Sequence, residues 1–134
     1  MTHVLVVHHD IDLADQEVES LRRFGYEVEQ CSGPTANTCP VLRGRECALA
    51  TRADVLVYDA FADGDVDGAV HLVERLHEVH PGIPIVLTVP GMGLDWMADT
   101  GPHRVVPLYG QPTGARLHEA IRQALATPAP SLTA

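Results

Sequence analysis

The stretch DVLVYD, residues 54–59, decides the fold class of this chain. Its apolar centre is short and uninterrupted, which is typical of a strand buried on both faces in the middle of a parallel sheet. A carboxylate, Asp59, ends the run. Because ligand sites in open α/β sheets form beyond the carboxyl ends of the strands, Asp59 also marks the edge where a functional site is expected.

Similar apolar runs occur on both sides of this stretch, and segments with helical spacing separate them. The predicted strands are residues 2–7, 26–29, 54–58, 85–89 and 104–106. Asp10 or Asp12 can cap the first helix, which Gly25 ends. That helix carries an apolar stripe of Ile11, Ala14, Val18, Leu21 and Phe24. Further helical patterns lie within residues 41–52, 69–80 and 117–125. This alternation predicts a flavodoxin-like doubly wound sheet of five parallel strands, order 2-1-3-4-5, with helices on both faces.

Length and charge limit the functions that the chain can have. Its 134 residues suffice for one domain, predicted over 1–126, and we expect residues 127–134 to form a flexible tail. A net charge of −9, from 18 acidic residues against nine arginines and no lysine, argues against nucleic acid or an anionic membrane as a partner. No apolar stretch approaches the roughly 20 residues that span a bilayer, so we expect a cytoplasmic protein.

Several short phrases, in order and at matching spacing, carry a resemblance to a known family. Apolar residues 4–7 are followed by polar ones, and DVLVYD ends in an aspartate. Asp67-Gly68 opens a helical pattern, HPGIPIVLT spans residues 80–88, and Gln111-Pro112 precedes the last helix. Over residues 3–126 the chain resembles the receiver domain of bacterial two-component response regulators. The resemblance implies the same fold and a role in signalling.

The family's chemistry centres on an aspartate that accepts a phosphoryl group. The resemblance places Asp59 at that position, and a Thr or Ser hydroxyl nearby is expected to report phosphorylation. Thr88 is the candidate switch residue, although counting from Pro84 puts Val89 at the family's usual offset. Asp59 is therefore either a residue that still accepts phosphate or binds a ligand, or a structural relic of one.

The chain departs from the family at the groups that neutralise the phosphoryl charge. His8 and His9 occupy the position of the acidic pair that holds Mg²⁺, with Asp10 adjacent, and Gln111 occupies the position of the lysine. Mg²⁺ prefers oxygen ligands, and an amide supplies no charge. We therefore expect Mg²⁺ to bind weakly at best, and we do not expect ordinary Mg²⁺-dependent phosphorylation of Asp59.

The two histidines allow a second interpretation. One of them, with Asp59 and Asp10, has the donor atoms of a site for Zn²⁺ or another transition metal. Neighbouring residues of a strand face opposite ways, so only one of His8 and His9 can join such a site. The alternative is a histidine whose hydrogen bonds are satisfied by a carboxylate or a carbonyl.

All three cysteines, Cys31, Cys39 and Cys47, fall in the segment where the second helix is expected. Prolines and glycines interrupt that segment, so the helix should be short or begin late. The cysteine spacing matches no common zinc motif. Reduced thiols, a disulfide that joins Cys39 to either neighbour, and a metal site remain open as alternatives.

Enzymatic motifs are missing from the sequence: it contains no nucleophile elbow, P-loop or dinucleotide fingerprint, so we expect no enzyme activity. The prediction is a stand-alone, atypical receiver-like module that acts through contact with another signalling protein or with a second copy of itself. By resemblance, the partner surface would include Trp96, Met97 and Tyr109, together with Leu94 and Leu108. The alternative is a redox- or metal-responsive sensor that uses the three cysteines on a receiver-like scaffold.

Overall fold

The computed structural model describes residues 1–8, 10–31, 40–41, 44–59, 66–80, 82–89 and 105–126. Five strands alternate with helices along these ranges. The strands are β1 (His3–Val7), β2 (Glu27–Cys31), β3 (Val55–Asp59), β4 (Ile85–Val89) and β5 (Val105–Tyr109). The described helices are α1 (Ile11–Arg23), α2 (Ala48–Arg52), α3 (Val66–Val79) and α4 (Gly114–Ala126).

The strands form one parallel sheet in the order β2-β1-β3-β4-β5. This result confirms the predicted flavodoxin-like fold. β1 and β3 are neighbours at the centre, with Val7 opposite Tyr58. The residues that follow β1 and those that end β3 therefore meet at the same edge of the sheet, the edge where ligand sites form in this architecture.

Side chains alternate between two apolar cores because successive strand residues face opposite sides of the sheet. One core lies against α1 and α4, where Val6 and Val57 pack with Leu21 and Ile121. The opposite core places Leu5 and Tyr58 against α2 and α3. Successive residues of a continuous apolar run such as VLVY in β3 thus pack into one core and then the other. This explains why apolar and polar residues do not alternate in the run.

The ends of α1 follow capping rules. Asp10 is the N-cap, and its Oδ1 accepts a hydrogen bond from the Leu13 amide at 3.1 Å. Gly25, with φ 94°, follows the helix where a residue with a side chain would be strained. The predicted stripe was wrong at its two ends, because Ile11 and Phe24 are exposed. Each stands at a helix terminus, beyond the part of α1 that lies on the sheet.

β5 extends beyond its predicted end, whereas α2 is short and begins late, as the prolines and glycines before it predicted. β5 continues to Tyr109 through Pro107, which an edge strand tolerates because one side of it needs no ladder hydrogen bonds. α2 covers only Ala48–Arg52, because Gly44 has a positive φ and Cys47 is an extended N-cap residue. No helix within the described ranges is long and apolar enough to cross a membrane.

Candidate functional site

The site begins with a buried histidine beside the carboxylate that ends β3. His8 follows β1 directly and is only 4% exposed. Its Nε2 lies 2.9 Å from Asp59 Oδ2, whose side chain is partly open to solvent. β1 and β3 pair in parallel at the centre of the sheet, and this pairing brings the two side chains together.

The backbone fixes the protonation pattern of this pair. The Asp10 amide donates a hydrogen bond to His8 Nδ1 at 3.0 Å, so Nδ1 is an acceptor and carries no proton. The ring proton of the neutral imidazole is then on Nε2, where it is donated to Asp59. The same turn that starts α1 therefore sets the tautomer and orientation of His8. Of the two sequence interpretations of this residue, the structure favours a histidine satisfied by a carboxylate.

A third ionisable group, Glu17, completes the site. It lies on α1, is 6% exposed, and has its Oε2 4.0 Å from His8 Nε2, which is beyond hydrogen-bond distance. Oε2 accepts no hydrogen bond from any described residue. Burial, and then the charge of Asp59, raise the pKa of Glu17 from 4.5 to about 7.

Sequence reasoning missed Glu17, although the sequence contains a signal for it. Glu17 stands three residues after Ala14 and four before Leu21, so it falls on the same helical face as the apolar stripe. A carboxylate on the buried face of a helix is uncommon unless something near it is polar. Here that neighbour is the pair formed by His8 and Asp59.

These three side chains open into a cleft of about 380 Å³ between α1 and the loop that precedes α4. The loop is held in place by Arg116, whose Nη1 donates to the Gln111 carbonyl at 3.0 Å. The lining residues are His8, Leu13, Gln16, Glu17, Ser20, Asp59, Gln111, Pro112, Thr113 and Gly114. Among these described lining residues, Glu17 and Asp59 are acids and none is a lysine or an arginine, so this part of the lining has a negative electrostatic character.

No protein-family model and no curated protein matches this chain. Several solved structures are similar to it in fold. A response regulator receiver domain protein from Clostridium thermocellum has a TM-score of 0.71 at 17% identity, over 93% of this chain and 94% of that chain. The receiver domain of NtrX from Brucella abortus has a TM-score of 0.67 at 22% identity, over 93% and 99% of the two chains. The chain has the receiver fold. A candidate pilus assembly protein, cpaE, from Burkholderia thailandensis shares it at TM-score 0.70 and 21% identity, over 95% and 100% of the chains.

The receiver fold places two further predicted residues near Asp59. Thr88 lies opposite Asp59 in the register of β3 and β4, and its Oγ1 donates to the Tyr58 carbonyl at 3.4 Å. Gln111 is exposed on the lip of the cleft. Asp10 does not point its carboxylate at the site, because that carboxylate caps α1. His9 lies outside the described residues.

The residues of this receiver site do not fit Mg²⁺. Asp59 Oδ2 already accepts a hydrogen bond from His8, and the protonated Nε2 of His8 has no lone pair with which to coordinate a metal. Mg²⁺ also requires oxygen ligands in near-octahedral arrangement. For transition metals, no group of three or more His, Cys, Asp or Glu side chains in the described part of the chain is arranged to hold an ion. The geometry thus gives no support to a Zn²⁺ site at His8 and Asp59.

The other candidate residues lie away from the cleft. On the predicted partner surface, Tyr109 is 42% exposed. The inclusion of Leu108 was wrong, because it is 6% exposed and packs in the core against α4. Leu94, Trp96 and Met97 lie outside the described residues.

Two of the three cysteines, Cys31 and Cys47, are described by the structure, whereas Cys39 is not. Both pack, partly buried, against the core beneath α2 and α3. Cys47 has a free thiol, and its amide donates to His80 Nε2 at 3.0 Å. The redox or metal role of the cysteines therefore stays a prediction.

Proposed function

We propose that this chain is a signalling module that acts through protein contact, without ordinary Mg²⁺-dependent phosphorylation of Asp59. The hydrogen bond between His8 and Asp59 carries the proposal. Through this bond, His8 donates to the carboxylate that would accept the phosphoryl group. His8 stands at the position where the resemblance to receivers would put a metal-binding acid. The module is not an enzyme on this proposal, because its effect passes through a partner.

Electrostatics around Asp59 supports the first part of the proposal. A phosphoryl group on Asp59 would add negative charge beside Glu17, and none of the described residues that line the cleft is a lysine or an arginine. Two like unit charges 5 Å apart repel by about 3 kcal/mol at an effective dielectric constant of about 20. His8 is held as a hydrogen-bond donor in its neutral form, and Gln111 has no charge, so neither supplies the missing cation.

The test is exposure to a small phosphodonor. Wild type and Asp59→Asn are incubated with Mg²⁺ and acetyl phosphate or beryllofluoride, and intact mass and Trp96 fluorescence are recorded. We expect no mass gain and no spectral change in either protein, under conditions that modify a receiver with a complete acidic pair and lysine. A gain in mass that is lost in Asp59→Asn would refute the proposal, because it would show a working phosphoacceptor.

The second part, action through contact, concerns the partner surface. The sequence places Trp96 and Met97 on it by resemblance, and the structure leaves Tyr109 exposed at the end of edge strand β5. Aromatic residues and methionine are enriched at the centres of interfaces. We expect Tyr109→Ala and Trp96→Ala to weaken self-association or partner capture while the domain stays folded.

Analytical ultracentrifugation and circular dichroism of the same samples separate loss of contact from loss of fold. Ile11→Ala is the matched control, because Ile11 is an exposed apolar residue on a different element. Identical association and identical partner capture in wild type, both surface variants and the control would count against this surface.

A further inference from the structure

The cleft contains a buried acceptor that no described residue satisfies. Glu17 Oε2 is buried and accepts no hydrogen bond from the described residues, although its side chain lines the cleft. His8 Nε2 is 4.0 Å away from this oxygen and donates its proton to Asp59 at 2.9 Å. Burying a polar atom without a hydrogen-bond partner costs free energy, and native proteins contain few such atoms. The position of this oxygen therefore points to a donor from outside the chain.

Charge limits what that donor can be. Among the described residues that line the cleft, Glu17 and Asp59 are the acids and none is a lysine or an arginine, so an anion would be repelled. A metal ion is disfavoured because the imidazole nitrogen between the two acids carries a proton. A cation that brings its own N–H donors meets both constraints.

Geometry selects a compact cation. Asp59 Oδ2 and Glu17 Oε2 lie 2.9 and 4.0 Å from the same atom, His8 Nε2, so the two carboxylates converge on a small volume. An ammonium group is a compact charge with three donors. Two of these can be given to the acids, and neutral oxygens of Ser20 and Gln111 are among the lining groups available for the third.

We propose that the cleft between α1 and residues 110–113 binds a primary ammonium group between Glu17 and Asp59. Leu13 and Pro112 line the same cleft and provide apolar contact for the alkyl chain of the ligand. The group comes either from a free alkylamine or from a lysine side chain of another polypeptide. A second copy of this chain cannot supply a lysine, because the sequence contains none. This inference depends neither on phosphorylation nor on the proposed partner surface.

The experiment is a titration of the ¹⁵N-labelled full chain, followed by amide chemical shifts. The probes are n-butylammonium, for a free amine, and Nα-acetyl-lysine N-methylamide, for a lysine side chain. We expect saturable shifts centred on Glu17, Asp59 and Gln111, and whichever probe binds more tightly identifies the source. Glu17→Gln should weaken binding about tenfold or more, because it removes the charged acceptor. Asp59→Asn serves as a second test should the first variant fold poorly.

The matched control is Glu19→Gln, on the same helix, where the exposed carboxylate pairs with Arg23. Its affinity should stay within about twofold of wild type, since an exposed charge outside the cleft contributes little. Three outcomes of the titrations with ammonium compounds would overturn the proposal. They are no saturable shift with either probe, equal binding of tetramethylammonium, which has no N–H donor, and equal response in the Glu17 and Glu19 variants. Tighter binding of Zn²⁺ than of either amine at the same residues would also overturn it, in favour of a metal site.

Discussion

Glu17→Gln should change how the stability of this protein depends on pH. Burial and the charge of Asp59 raise the pKa of Glu17 from 4.5 to about 7, so the folded protein holds this proton more tightly than the unfolded chain does. The stability that this group contributes is therefore fully present below about pH 4.5 and is lost as the pH rises through about 7. Glutamine has nearly the same shape and does not titrate, so the variant should lack this loss.

The magnitude follows from the size of the pKa shift. One pKa unit corresponds to about 1.4 kcal/mol, so the free energy of unfolding of the variant should rise relative to wild type by about 2–3 kcal/mol between pH 5 and pH 8. The comparison between proteins at each pH cancels the titration of groups that both share. Burying the glutamine amide has its own desolvation cost. This cost shifts the variant's free energy of unfolding by the same amount at every pH and leaves its pH dependence unchanged.

Urea unfolding followed by far-UV circular dichroism at pH 5, 6, 7 and 8 measures this difference. Glu19→Gln, an exposed change on the same helix, should run parallel to wild type throughout. The reasoning about the site fails if the difference between Glu17→Gln and wild type varies by less than about 0.5 kcal/mol over this range. Such a result would mean that Glu17 titrates as a solvated carboxylate, which contradicts its burial.

Three further changes test the fold around the site by urea denaturation. Asp10→Ala removes the N-cap of α1 and should lower the free energy of unfolding by about 1 kcal/mol; no loss would show that the cap is dispensable. Ile121→Ala should cost about 2–5 kcal/mol because the side chain is fully buried, whereas the exposed Leu125→Ala should cost far less; equal losses would contradict the packing. Gly114→Ala should cost about 1–3 kcal/mol, since its Cβ would lie 2.9 Å from Ser20 Cβ, and Ser20→Gly in the same chain should restore most of the loss.

The sheet could be predicted from sequence because each strand is a short apolar run between breakers, and parallel topology leaves few orders for five such runs. Local signals also sufficed for the start of α1, where Asp10 and Gly25 have conformational roles. Pro107 misled the prediction of β5, since proline is excluded from central strands but tolerated at an edge, and edge position is a property of the whole sheet.

The site was only partly predictable for a related reason. Asp59 and His8 stand at strand ends, so the topology alone brings them together. Glu17 comes from the middle of a helix, and its burial depends on how α1 and the 110–113 loop pack around the cleft. A helical wheel marks it as unusual, but only the packed structure gives its oxygen a place beside His8.

The arrangement of His8, Glu17 and Asp59 relates two departures from receiver chemistry, the histidine at position 8 and the glutamine at position 111. A carboxylate in place of His8 would set three acids around one point, and burial would force one of them to stay protonated. With the imidazole there instead, Asp59 receives a hydrogen bond and only two acids share the site, although burial and the charge of Asp59 still raise the pKa of Glu17 to about 7. A lysine at position 111 would add a positive charge at the edge of the cleft. The neutral Gln111 adds no such charge, which suits the cationic ligand that we propose.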